Sequence, residues 1–217
     1  MNIADIRALQ PCYDPTKYLP EAWEGTARDI LSIADCPAED RLWVVLRSDW
    51  IPAPVLRTFA LWYAREALKL LPAPNQRSVA AYSVARRYVK GTASAAELIA
   101  ARAEAQNAAN AAACAATTYA KRAAAAAYET VAAAVDAADA QDAPRAKDPL
   151  CVTLHVRDAA TAAARAATYV AVGALIAKDI ETGDAKSAAA YGESSAATEA
   201  AANAARESQV ATLLALL

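Results

Sequence analysis

At 217 residues with a formal charge of −2 at pH 7, the chain is long enough to bury a single core. It has neither the basic excess of a nucleic-acid or membrane-surface binder nor the heavy acidity of a DNA mimic. Sixty-five alanines against five glycines favour helix, because alanine loses no side-chain entropy there and hides no polar group.

Strand formers are sparse and never alternate over a useful length, so an all-α fold is expected. The start, Met1-Asn2-Ile3-Ala4-Asp5, lacks a basic stretch followed by an apolar run and does not read as an export signal. Charged residues break every alanine run within a few positions, which argues against a membrane span. Cys12, Cys36, Cys114 and Cys151 are far apart in sequence. Reduced, buried thiols in a cytoplasmic protein are expected from that spacing.

The character of the chain changes near Gly91. Trp23, Trp43, Trp50, Trp62, Phe59 and eight of the ten prolines precede it. Residues 1–91 therefore read as a compact region of short helices around an aromatic core. Residues 92–217 read as long alanine-rich helices packed as a bundle, either separately or as one continuous domain with the first part.

In chain order, Thr26 caps a helix reaching Ile33, with Asp29 in the reach-back position. Pro37 suits the start of the next helix, whose Leu42, Trp43, Val45 and Leu46 face inward. Prolines 52 and 54 force a turn. A broad apolar face follows over Val55, Leu56, Phe59, Trp62, Tyr63, Ala67 and Leu70. Asn75 caps a helix that carries Val79, Tyr82, Ala85 and Val89 and stops at Gly91. Ser94-Ala95-Ala96-Glu97 is a capping box.

No Pro or Gly occurs between there and Ala140. One unbroken helix over that stretch would measure roughly 70 Å at 1.5 Å per residue, and whether it is one helix or two is open at this point. Residues 141–149 read as a loop. A long helix is expected from about Cys151 to Ile180, with larger apolar residues at Tyr169, Val172, Leu175 and Ile176. A break at Thr182-Gly183-Asp184 precedes a third, whose terminal Val210, Leu213, Leu214, Leu216 and Leu217 dock on the bundle.

The alanine has two readings, closely packed helices or a solvated rigid spacer. Tyr128, Val131 and Val135 form a stripe at helical spacing after Tyr119, and a stripe needs cover, which favours the bundle. Buried alanine returns little transfer energy at about 25 cal/mol per Å², so stability leans on helix propensity, and a homodimer is open.

Catalytic signals are weak. His155 is the single histidine. With Cys151 it could supply two ligands on one helix face, but two ligands do not close a zinc site. Glycines are too few for a phosphate-cradling loop. Acid pairs such as Asp136/Asp139 and Glu39/Asp40 read as solvated helix faces. A non-enzymatic protein with no catalytic, metal or cofactor site is expected.

One polar cluster has direction: Arg77, Arg86, Arg87 and Lys90, reinforced by Arg102. Arg86 and Lys90 are one turn apart, so their charges project together. The cluster reads either as a contact surface for phosphate or for an acidic partner, or as cations complementing a helix C-terminus.

The stretches Asp40-Arg41-Leu42-Trp43-Val44-Val45-Leu46, Leu56-Arg57-Thr58-Phe59-Ala60-Leu61-Trp62-Tyr63-Ala64-Arg65 and Ser78-Val79-Ala80-Ala81-Tyr82 through Glu97-Leu98, followed by an alanine–tyrosine-rich tail, resemble the alanine-rich immunity proteins of bacteria and their phages. The resemblance runs from about residue 26. The proline-rich turns at Pro11-Cys12-Tyr13-Asp14-Pro15 and Tyr18-Leu19-Pro20 depart from it. It implies a cytoplasmic, non-enzymatic protein that neutralises a toxin or host effector, and the leading expectation is a protein that binds and blocks another protein, such as a nuclease or its guide complex. It carries over no binding residues. A self-associating helical scaffold is the alternative expectation, and a nucleic-acid binder using the Arg77–Lys90 helix a third.

Overall fold

The computed structural model describes residues 1–46, 50–114, 119–139, 155–158 and 189–217. Its helices begin where capping residues place them. Asn2 accepts from the Ala4 and Asp5 N–H groups and opens α1 (Ile3–Ala8). A 3-10 turn at Pro15–Lys17 follows, capped by Asp14. Thr26 and Asp29 form the expected reciprocal box before α2 (Ala27–Leu31), which is shorter than the sequence suggests and closes at Ser32. Proline starts α3 (Ala38–Val45) and α4 (Ala53–Lys69) without side-chain caps, since its φ is already helical. Asn75 caps α5 (Gln76–Val89).

After the Ser94–Glu97 box come α6 (Ala95–Cys114), α7 (Tyr119–Asp139) and the C-terminal α8 (Ala189–Leu216). A single helical turn is present at 155–158. The expected helix over 151–180, its Tyr169–Ile176 stripe and the break at 182–184 otherwise lie outside the described residues. The only bridge among the described residues is an isolated pairing of Asn2 with Glu24. The protein is an all-α helical bundle.

Two helices, α6 and α7, occupy the stretch that could have been one rod, and they pack along each other. Among the described helices α7 is central, with α4, α5 and α6 all packed against it. That position explains the alanine. A helix with three neighbours must present small side chains in several directions for the axes to approach. Ala123, Ala126, Ala127, Ala134, Ala137 and Ala138 are accordingly buried, as are Tyr128, Val131 and Val135. Thr130 is also fully buried, and its hydroxyl donates to the Ala126 carbonyl at 2.8 Å, so that hydroxyl is not stranded.

The large residues come from α4. Leu56, Phe59, Ala60, Tyr63, Ala64 and Ala67 recur at helical spacing and are essentially inaccessible. Phe59 meets Tyr63 at 4.4 Å between ring centres and stacks with Trp62 at 6.1 Å. All four tryptophans are half-buried against the core. One buried cluster runs from Ile6 through α4 and α7 to Leu213, crossing the change of composition at residue 91.

Two placements are decided by packing, and one expectation, that the thiols are buried, needs correction. In α5 the larger apolar residues are not the most buried ones. Ser78, Ala81, Ala85 and Tyr88 are buried, whereas Val79, Tyr82 and Val89 are only half-buried. The smaller residues face α6 and α7, where close approach gains more packing than bulk does. Next, among the described residues α8 packs on α2, α3 and α4, in the aromatic part of the chain. Val210 and Leu213 are buried there, while Leu217 is 37% exposed. Finally, of the described thiols only Cys36 is buried; Cys12 and Cys114 are exposed.

Candidate interaction surface

Local chemistry positions α5 firmly. At its start the Asn75 side chain accepts from the Arg77 N–H at 2.8 Å, and the Asn75 N–H donates to the Tyr128 hydroxyl of α7 at 2.8 Å. At its end Gly91 takes φ +72°, a conformation glycine adopts without strain. The Thr92 N–H then donates to the Arg87 carbonyl and the Gly91 N–H to the Tyr88 carbonyl, each at 2.8 Å. These two bonds are the Schellman closure. Arg86 and Arg87 lie in the last turn, where a cation contributes about 0.3–1 kcal/mol against the helix dipole.

The five basic residues singled out from sequence separate into two groups. Arg77 and Arg86 are nine positions apart, half a turn out of phase at 3.6 residues per turn. On the side toward α6, Arg77 reaches Glu104 at 3.5 Å and Arg87 reaches Glu97 at 2.8 Å. Glu97 is also bonded by the Ser94 N–H and hydroxyl. Those bonds and Arg87 hold its carboxyl at about 2. Arg102, on α6, reaches Asp136 of α7 at 2.6 Å. These three cations fasten α5 to α6 and α6 to α7.

Arg86 and Lys90 form the second group. Both are exposed, and neither makes an ion pair or hydrogen bond with its side chain among the described residues. α5 contains no acid of its own. On the same flank, Tyr82 precedes Arg86 by one turn, with Val79 and Val89 beside them. The spacing of these three apolar residues does not by itself say which side of α5 is buried; the small-residue series Ser78, Ala81, Ala85 at helical spacing marks that side.

Elsewhere, an open depression lined by Arg7, Gln10, Cys12, Tyr13 and Asp14 has its one cation already engaged by Asp14 and Glu21. Two further ion pairs, Arg41–Glu207 at 2.6 Å and Arg206–Glu39 at 3.0 Å, join α8 to α3; neither was foreseen from sequence. His155 is half-buried on the 155–158 turn, and Cys151 lies outside the described residues. Among the described residues no group of three His, Cys, Asp or Glu is placed to hold a metal ion, and no helix is long and apolar enough to cross a membrane.

Comparison of the chain with protein-family models, curated proteins and solved structures returned no match.

Proposed function

We propose that this chain is a non-enzymatic binding protein of the bacterial cytoplasm that neutralises a toxin or host defence effector by protein–protein contact, in the manner of an immunity or phage counter-defence protein. The observation that carries the reading is the division of the basic cluster. Three cations hold α5, α6 and α7 together, while Arg86 and Lys90 stay exposed beside a half-buried tyrosine. A helix fixed at both ends and presenting arginine and tyrosine has the residue types that dominate protein interfaces. The resemblance to alanine-rich immunity proteins, carried by the residue stretches named above, supports the same class.

The test is protection. Bacteria expressing the chain, challenged with phage under active CRISPR interference or with nuclease toxins, are expected to show altered survival, with the affected effector co-purifying. Unchanged survival across these challenges, with no effector retained, overturns the reading.

A self-associating scaffold is the second reading. It is favoured by Ile99, which is 61% exposed on α6 among alanines and the Gln106–Asn110 pair. Sedimentation that depends on protein concentration, with no partner present, would support it.

A further inference from the structure

We infer that the flank of α5 formed by Tyr82, Arg86 and Lys90 is the docking surface for an acidic, amphipathic segment of a partner protein; this rests on the binding-protein reading above. Lys90 keeps helical backbone angles, so the three side chains follow one another at single-turn steps along one line. The other cations of the same helix show what this chain does with charge that has work inside the molecule. Arg77 and Arg87 each meet a glutamate of α6. The Arg86–Lys90 line faces no acid among the described residues, and its positive charge stands out in a molecule of net charge −2.

Charge complementarity selects carboxylates. Arg86 can donate two parallel hydrogen bonds to one, and Lys90 can meet a second a turn away. Apolar complementarity selects what lies between them. Tyr82 is half-buried, with Val79 and Val89 to either side. The ledge is therefore already partly dehydrated, and its ordering entropy has been met by packing on the core. An aliphatic side chain seated there gains contact at low cost.

The number of charges separates this partner from nucleic acid. Phosphate-driven binding strengthens with each phosphate that is neutralised, and the two cations of this line neutralise few. A partner helix or strand with two acids flanking one large apolar residue matches all three features.

The experiment uses the intact chain and a labelled synthetic peptide designed as an amphipathic helix, with glutamates one turn apart flanking leucine. A glutamine-for-glutamate peptide and a short DNA duplex serve as comparisons. The glutamate peptide is expected to bind best, with amide shifts centred on residues 79–90. Affinity should fall about tenfold or more in the Arg86→Gln/Lys90→Gln variant, and also in Tyr82→Ala.

Glutamine preserves helix propensity, so an unchanged melting temperature shows that the variant is folded. Arg86→Gln alone serves if the double variant melts early. Equal affinity for the glutamine peptide, shifts located elsewhere, or full affinity in the double variant each overturn the inference. So does tighter binding to the duplex that falls steeply with salt, because the surface is then a phosphate site.

The two readings fail separately. Undiminished neutralisation by the double variant removes this surface and keeps the function. Peptide binding at α5 by a chain that protects no cell keeps the surface and removes the function.

Discussion

Arg41 on α3 reaches Glu207 on α8 at 2.6 Å, and its other terminal nitrogen donates to the Leu31 carbonyl at 2.8 Å. The arginine side chain is only 7% exposed, the glutamate 58%. The guanidinium is thus held by one buried carbonyl and one carboxylate that water reaches, while its Nε lies buried without a hydrogen-bond partner among the described residues. A few residues away Arg206 meets Glu39, so neighbouring residues of opposite charge on α8 face opposite charges on α3. This crossed arrangement sets the position of the C-terminal helix, whose apolar anchor is small.

Glu207→Ala is expected to destabilise the protein by about 1–2 kcal/mol. Removing one member of a fully buried pair costs 3–5 kcal/mol, but solvent access to Glu207 lowers that. Arg41→Ala should cost more, because the packing of its stem is lost as well. Urea unfolding measures both. Limited proteolysis should also release α8 earlier in each variant, and wild-type stability in both would show that the pair does not hold the helix.

Tyr128 serves both as core filler and as acceptor for the Asn75 N–H at the α5 start. Tyr128→Phe keeps the ring and strands that N–H, so a loss of about 1 kcal/mol is expected. Hydrogen exchange at Asn75 should accelerate in step. An unaffected exchange rate would mean that water replaces the hydroxyl without cost.

Glu97 has its carboxyl lowered from 4.5 to about 2, first by the Ser94 N–H, then by Arg87 and the Ser94 hydroxyl. A carboxyl whose folded value is depressed stabilises the fold fully above its unfolded value. That contribution is lost as pH falls from about 4.5 toward 2. Glu97→Gln should therefore shallow the acid limb of the stability curve in that window and leave its shape above pH 6 unchanged. An NMR titration of the Glu97 side chain with a midpoint near 4.5 would contradict the capping geometry.

Ala105 on α6 is fully buried, whereas Ala103 on the same helix is exposed. Ala105→Leu is expected to cost about 1–3 kcal/mol or more, since close-packed helices must separate to admit the added carbons. Ala103→Leu should be near neutral, because leucine is almost as good a helix former. Chemical denaturation of the pair isolates packing from propensity. Similar stabilities would argue that α6 and its neighbours are loosely packed.

The sequence by itself determined the helical class, because alanine propensity, capping residues and proline positions act within a turn or two of chain. Thr26–Asp29, Asn75, Gly91 and Ser94–Glu97 each bound a helix for such local reasons. The inward stripe of Tyr128, Val131 and Val135 was legible on the same basis, since their spacing and size allow one orientation. Only the tertiary structure decided that α6 and α7 are two helices, that α7 is central among the described helices, and that α8 returns to the N-terminal helices. It also decided which side of α5 is buried. Neighbouring axes there came close enough for Ser78, Ala81 and Ala85 to pack better than Val79 and Tyr82. It likewise decided which cations found acids on other helices. Pairings such as Arg102 with Asp136 and Arg41 with Glu207 join residues far apart in the chain, and no local rule of propensity or spacing specifies them.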